Sequence, residues 1–147
     1  MLIRRARATD LPLVYLGELD YIRQIEPQQE PAWKAAIARH LEQWTTALDR
    51  MLVADVGDRV VGYCFWEQHG DEAVLSSLYV IPARRRQGIG RSLLTAFIAD
   101  AIDHRISKAS LGVQADNPAR WLYEQKGFVR THDTEAFLHY RLALPAG

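Results

Sequence analysis

Leu78-Tyr79-Val80-Ile81-Pro82-Ala83-Arg84-Arg85-Arg86-Gln87-Gly88-Ile89-Gly90-Arg91 is the stretch from which the fold can be worked outward. It reads as an apolar strand, a turn stopped by proline and carrying two glycines one residue apart, and then the start of a helix. The first N–H groups of a helix have no intrahelical partner, its dipole favours negative charge there, and glycine allows close backbone approach. With three consecutive arginines beside it, such a turn is suited to an anion, and a diphosphate would fit it. The spacing G-x-G-x-x-G is absent because position 93 is Leu, and GxxxxGK[ST] is absent too. A helix start with a solvated basic turn would explain the same residues, so the surrounding chain has to decide.

Upstream, Leu2–Ala6 reads as a strand, followed by the cap pair Thr9-Asp10 and an apolar stretch from Leu11 towards Ile25. After Pro27 and Glu30-Pro31 a second helix is predicted, with Trp33, Ile37, Leu41, Trp44 and Leu48 on one stripe. Met51–Val56, Val60–Trp66 and Ala73–Ile81 are β-rich runs parted by Gly57-Asp58 and Gly70-Asp71, which predicts three antiparallel strands. Downstream, Ile89, Leu93, Leu94, Phe97, Ile98, Ala101 and Ile102 mark an amphipathic helix. Ala109–Gln114 is a strand, Asn117-Pro118 opens a short helix closed by Gly127, and Phe128–His132 and Ala136–Leu144 are the last strands. The order βααβββαβαββ describes a mixed α/β (α+β) domain.

The 147 residues suit one domain spanning 1–147, with enough chain to bury close to about 70% of its unfolded surface. Eighteen Lys+Arg balance eighteen Asp+Glu, so no global field favours nucleic acid, and Arg84–Arg91 contains no aromatic residue on which bases would stack. A single cysteine, Cys64, excludes an internal disulfide framework, and the scattered histidines give no metal-ligand spacing. No metal is expected. The basic start MLIRRARATD is not followed by an apolar leader segment, and the longest uncharged run is the eleven residues Ala73–Ala83. A cytoplasmic location, no membrane partner and no nucleic-acid partner are the expectations.

Arg85-x-x-Gly88-x-Gly90, preceded by Leu78-Tyr79-Val80 and followed by Leu93-Leu94, resembles the Q/R-x-x-G-x-G/A acyl-CoA motif of the GNAT superfamily of N-acetyltransferases. Asp116-Asn117-Pro118-Ala119-Arg120-Trp121-Leu122-Tyr123-Glu124-Gln125-Lys126-Gly127-Phe128 is similar to that family's second signature, Asn…Leu-Tyr-Glu-x-x-Gly-Phe. The resemblance implies a mostly antiparallel sheet splayed open between the strands holding Leu78–Val80 and Leu111–Gln114, with acetyl-CoA as co-substrate in the opening. It implies that the backbone of Leu78, Tyr79 and Val80 pairs with the pantetheine arm and polarises the acetyl carbonyl. It also implies that amides from Arg86 through Gln87, Gly88, Ile89 and Gly90 to Arg91 hold the pyrophosphate, with Arg85 at the motif's first position. Tyr123 matches the family's general acid, whose phenol would protonate the departing thiolate. Asn117 would contact pantetheine or fix the strand–helix corner. It lies six residues before Tyr123, whereas the family often uses seven, where this chain has Asp116.

The positions where family members carry a general base hold Val74 and Gly112 here. Glu67 is then taken as the candidate base, with His69, Glu72, Glu18, Asp20, Glu26 and a water relay as the others. An amine of pKa about 7.7 is roughly one-sixth neutral at pH 7 and a lysine only about one part in two thousand, so a missing base would hurt a lysine substrate more. The acceptor pocket is expected between the first helical region, Val60–Trp66 and the last strands. Tyr15, Tyr21, Trp66, Tyr79, Phe137 and Tyr140 are its candidate aromatic lining, and the acids at 18, 20 and 26 would suit a cationic amine. The resulting reading is an acetyltransferase acting on a primary amine of a small molecule or peptide by direct attack in a ternary complex. Cys64, mid-strand, reads as packing rather than an acetyl carrier. A CoA-binding sensor or interaction module is the alternative, and a homodimer is left open.

Overall fold

Two glycine turns and two proline stops divide the chain where the sequence predicts. In the computed structural model, which describes residues 1–146, the strands are β1 (Leu2–Arg5), β2 (Met51–Asp55), β3 (Val60–His69), β4 (Glu72–Val80), β5 (Lys108–Val113), β6 (Val129–Asp133) and β7 (Leu138–Ala143). The helices are α1 (Leu11–Ile25), α2 (Glu30–Ala35), α3 (Ile37–Thr46), α4 (Ile89–Asp103) and α5 (Ala119–Gln125). Gly147, the end of the 1–147 domain read from the sequence, lies outside the described residues. The strands form one seven-stranded sheet in the order β1-β2-β3-β4-β5-β7-β6. All neighbours are antiparallel except β4 and β5. The expected α/β class, element order and mostly antiparallel sheet are as found, with one helix divided.

That division falls at Ala36, where φ is −94° and ψ 18°. Hydrogen bonds run on through the bend, since the Arg39 and His40 amides both donate to the Ala36 carbonyl. The bend brings the Trp33 ring onto His40, with centroids 4.9 Å apart, and His40 towards Trp44 at 5.9 Å. Leu41, predicted on the apolar stripe, is 44% exposed, so the buried seam is narrower than the periodicity suggested.

β3 is central and buried on both faces, which is why Val61–Trp66 reads as an unbroken apolar run. Tyr63 and Phe65 meet Val14, Trp44, Met51 and Val53 on the α1–α3 side. Cys64 and Trp66 meet Leu93, Phe97, Leu75 and Leu111 on the α4 side. One carboxylate enters that second layer. Asp100 of α4 accepts two hydrogen bonds from Arg5 at 2.8 and 3.0 Å and one from Trp66 Nε1 at 2.9 Å, tying α4 to both β1 and β3. Burial pushes the Asp100 pKa up, but the bonds from Arg5 and Trp66 outweigh it and the net shift is downward.

β4 and β5 pair only through Glu72↔Lys108, Ala73↔Ala109 and Val74↔Ser110. Opposite β3, Leu75 pairs with Trp66 and Ser77 with Phe65, leaving Ser76 as an extra residue on β4. Such a bulge bends its strand. Parallel pairing stops just before it, and from Leu75 onward β4 and β5 part. α1 lies across the α1–α3 face of the sheet, seated at Gly17, where an added Cβ would come within 2.5 Å of the Tyr63 hydroxyl and 2.8 Å of the Tyr79 ring.

Alanine at Gly17 gains about 1 kcal/mol of helix propensity, yet overpacking on two rings costs about 1–3 kcal/mol. Gly17→Ala is therefore expected to lower the urea midpoint, and a raised midpoint would contradict this seating. A folded-state pKa below the unfolded value means that Asp100 adds stability above the ordinary carboxylate range and loses it as pH falls through its lowered pKa. Asp100→Asn is expected to cost about 1–3 kcal/mol at pH 7. The difference should shrink below about pH 4 in denaturation curves taken across that range.

Candidate functional site

The turn after β4 is built from two left-handed residues. Arg86 has φ 62° and Gly88 φ 83°, and this alternation curls successive N–H groups into a concave nest. The α4 ladder begins with the Ser92 amide donating to the Gly88 carbonyl at 3.0 Å, so the amides of Ile89, Gly90 and Arg91 have no intrahelical acceptor. Gln87 is exposed at the rim. A Cβ on Gly90 would sit 3.5 Å from Leu122 and 3.9 Å from Val80, which places this turn against both α5 and the end of β4.

The arginines divide into tied and untied. Arg85 folds back: its Nε donates to the Val80 carbonyl at 2.9 Å, its guanidinium lies over the Tyr79 ring, and Nη2 is 3.6 Å from Asp20. Tyr79 also donates to Asp20 at 2.8 Å, so Arg85, Tyr79 and Asp20 form a clasp between the turn and α1. Arg91 donates to Gln125 of α5. Among the described residues, Arg84 and Arg86 make no side-chain hydrogen bond or ion pair.

The Ile81 amide donates to the Val61 carbonyl. Antiparallel pairs alternate, so Tyr79 is bonded to Tyr63 across the ladder, while the N–H and C=O of Leu78 and Val80 point away from β3 into the opening. Tyr79, expected beside them, instead gives its backbone to β3 and its ring to α1.

On the far side of the opening, the Asn117 Oδ1 accepts the Ala119 amide at 2.9 Å and caps α5. Burial pushes the Tyr21 hydroxyl of α1 up in pKa, and the Asn117 side chain lowers it by less. Tyr123 is 6% exposed, its ring meets Phe128 edge-on, and its hydroxyl makes no hydrogen bond among the described residues. Burial pushes its pKa far up, so the phenol keeps its proton at any working pH. Cys64 is fully buried with Sγ 3.7 Å from the Leu93 carbonyl, and burial pushes the thiol up to about 12, so no thiolate is available there.

α1 roofs the opening. Glu18 accepts from Tyr63 and Ser77, and Glu26 accepts from Gln114 at the end of β5. Glu67 is placed elsewhere. β3 runs on past Trp66 to His69, so Glu67 pairs with Val74, where β4 and β5 are still joined, and its carboxylate meets Gln43 of α3 and His69. The structure does not bring it to the opening. Of the expected aromatic lining, Trp66 and Tyr140 are core residues at 0% and 2% exposure, and Tyr15 packs on Trp33. Tyr21 is half-buried on α1, and Phe137 lies against Gly112 of β5. The Glu18 and Asp20 contacts were legible only as acids on a helix, since nothing local in sequence links them to Ser77 or Tyr79.

Residues 21–142 match the family of acetyltransferase (GNAT) domains. A mycothiol acetyltransferase of Pseudarthrobacter chlorophenolicus is 31% identical over 148 positions, covering 82% of this chain and 46% of that protein. One of Renibacterium salmoninarum is 30% identical, with 82% and 44% covered, so the chain spans about half the length of these curated relatives. Among solved structures, the PaiA N-acetyltransferase of Thermoplasma acidophilum in complex with coenzyme A superposes with a TM-score of 0.81 at 17% identity, covering 97% and 98% of the two chains. The ribosomal-protein-alanine N-acetyltransferase of Brucella melitensis gives 0.75 at 24% identity, covering 98% and 100%. These two likenesses are of fold. Matched across most of its length and to relatives with this much identity, the chain belongs to the GNAT acetyltransferase family.

Proposed function

We propose that residues 1–147 act as an acetyl-CoA-dependent N-acetyltransferase domain, passing the acetyl group directly to a primary amine of a small molecule or peptide. The observation that carries this reading is the edge of β4 unpaired by any strand, with the backbone of Leu78 and the Val80 amide directed into a splayed opening while Arg85 takes the Val80 carbonyl. That edge ends at a turn of unsatisfied amides. Pantetheine carries two amides and a diphosphate lies beyond it, so an extended edge followed by an anion nest matches the molecule in order and in chemistry. The PaiA structure of the same fold holds coenzyme A, and the curated relatives are acetyltransferases.

In this reading the amides from Arg86 to Arg91 hold the pyrophosphate and the untied Arg84 and Arg86 supply charge nearby. Arg85 serves the site through the clasp to Asp20 rather than as a free cation. A backbone N–H of β4 polarises the thioester carbonyl. The amine nitrogen attacks the carbonyl carbon, the C–S bond breaks, and Tyr123 gives the departing sulfur a proton. Asn117 fixes the corner of α5 that carries Tyr123. Among the described residues no group of three or more side chains could hold a metal, and no helix is long and apolar enough to cross a membrane.

The test is thiol release from acetyl-CoA in the presence of amines, polyamines, aminoglycosides and peptides. Turnover is expected with at least one amine class, and Tyr123→Phe is expected to lower kcat by about 10²-fold with acetyl-CoA affinity unchanged. Tight acetyl-CoA binding without turnover on any amine would favour a CoA-binding sensor module instead.

A further inference from the structure

We propose that Glu18 of α1 is the proton acceptor of the transfer, its Oε1 taking a proton from the acceptor ammonium as it approaches the β4 edge. This rests on the acetyltransferase reading and deepens it. The Tyr63 hydroxyl donates to Glu18 Oε2 at 2.8 Å and the Ser77 hydroxyl to the same oxygen at 2.9 Å. Oε2 is thereby fixed, while Oε1 accepts no bond among the described residues and is not sealed from solvent. Two hydroxyls on one oxygen set the direction in which the other points. Ser77 directly precedes Leu78, the first residue of the free β4 edge, and directly follows the bulged Ser76. The carboxylate therefore stands beside the segment whose backbone faces the thioester.

The other acids are committed. Asp20 is held by Tyr79 and Arg85, and Glu26 by Gln114. Glu72 is held by Arg141 at 2.7 Å and by Ser110, and Glu67 lies at the joined end of the sheet. No cation neutralises Glu18. The titratable groups that face it are Tyr63 of β3 and Tyr21 on its own helix, with Tyr79 of β4 and Tyr123 of α5 behind them. Burial raises its pKa and the two hydroxyl bonds lower it by less. The result is a carboxylate more basic than a free one, as a group that must accept a proton near neutral pH requires.

The step balances. Carboxylate and ammonium become carboxylic acid and neutral amine; the amine nitrogen forms the C–N bond and the C–S electron pair leaves on sulfur. The nitrogen's second proton is lost as the sulfur gains one, and the Glu18 proton returns to solvent before the next cycle.

The test compares pH profiles of kcat/KM for wild type, Glu18→Gln and Tyr63→Phe, with acetyl-CoA affinity and urea midpoint measured alongside. Wild type should show an ascending limb with an apparent pKa above the ordinary carboxylate value of about 4.3. Glu18→Gln, which keeps an acceptor for both hydroxyls, should lose about 10²–10³-fold at pH 7 on an alkyl amine and lose that limb, with acetyl-CoA affinity intact. The loss should shrink for an acceptor whose amine is already neutral at pH 7. Tyr63→Phe removes one stabilising bond from the carboxylate and should move the limb upward. A Glu18→Gln profile within about threefold of wild type, limb included, would overturn the assignment. Wild-type protein that binds acetyl-CoA yet acetylates no amine would overturn the transfer reading itself and this role with it, a result seen before any variant is made.

Discussion

Three parallel residue pairs join β4 to β5, and the bulge at Ser76 ends the joining. The opening in the sheet depends on that short seam. Were the strands paired to Val80, the backbone groups of Leu78 and Val80 would be spent inside the sheet. Because they part, the sheet keeps an unpaired internal edge, protected from aggregation by its position between two halves rather than by charge. Behind the opening, α4 packs against residues of both halves, and the Asp100 network anchors that helix to β1 and β3.

The neutral net charge hides a separation along this opening. Cations gather where α4 begins, and acids gather on α1. The clasp of Arg85, Tyr79 and Asp20 is where the two regions touch, linking the arginine-rich turn before α4 to α1.

Much of this was legible in the sequence. Glycine turns, apolar periodicity and the strand–turn–helix around Gly88 and Gly90 are local signals, and they placed nearly every element. The bulge was not legible, because Ser76 is an extra residue only relative to the register of β3. Neither was the bend at Ala36, which brings Trp33 onto His40 across a break that no local residue pattern marks. In the site, the backbone alternation that separates Tyr79 from Leu78 and Val80 depends on which β3 residue lies opposite. The choice between Glu67 and Glu18 turned on tertiary contacts, since both are acids near aromatic runs, and only folding sets Tyr63 and Ser77 on the second.

The most direct test of this account is amide exchange read by NMR with and without coenzyme A. Protection should rise at Leu78 and Val80 and across Gln87–Arg91, while Tyr79, already bonded to β3, should change little. Protection spread evenly along β4, or confined to surfaces away from the opening, would contradict it.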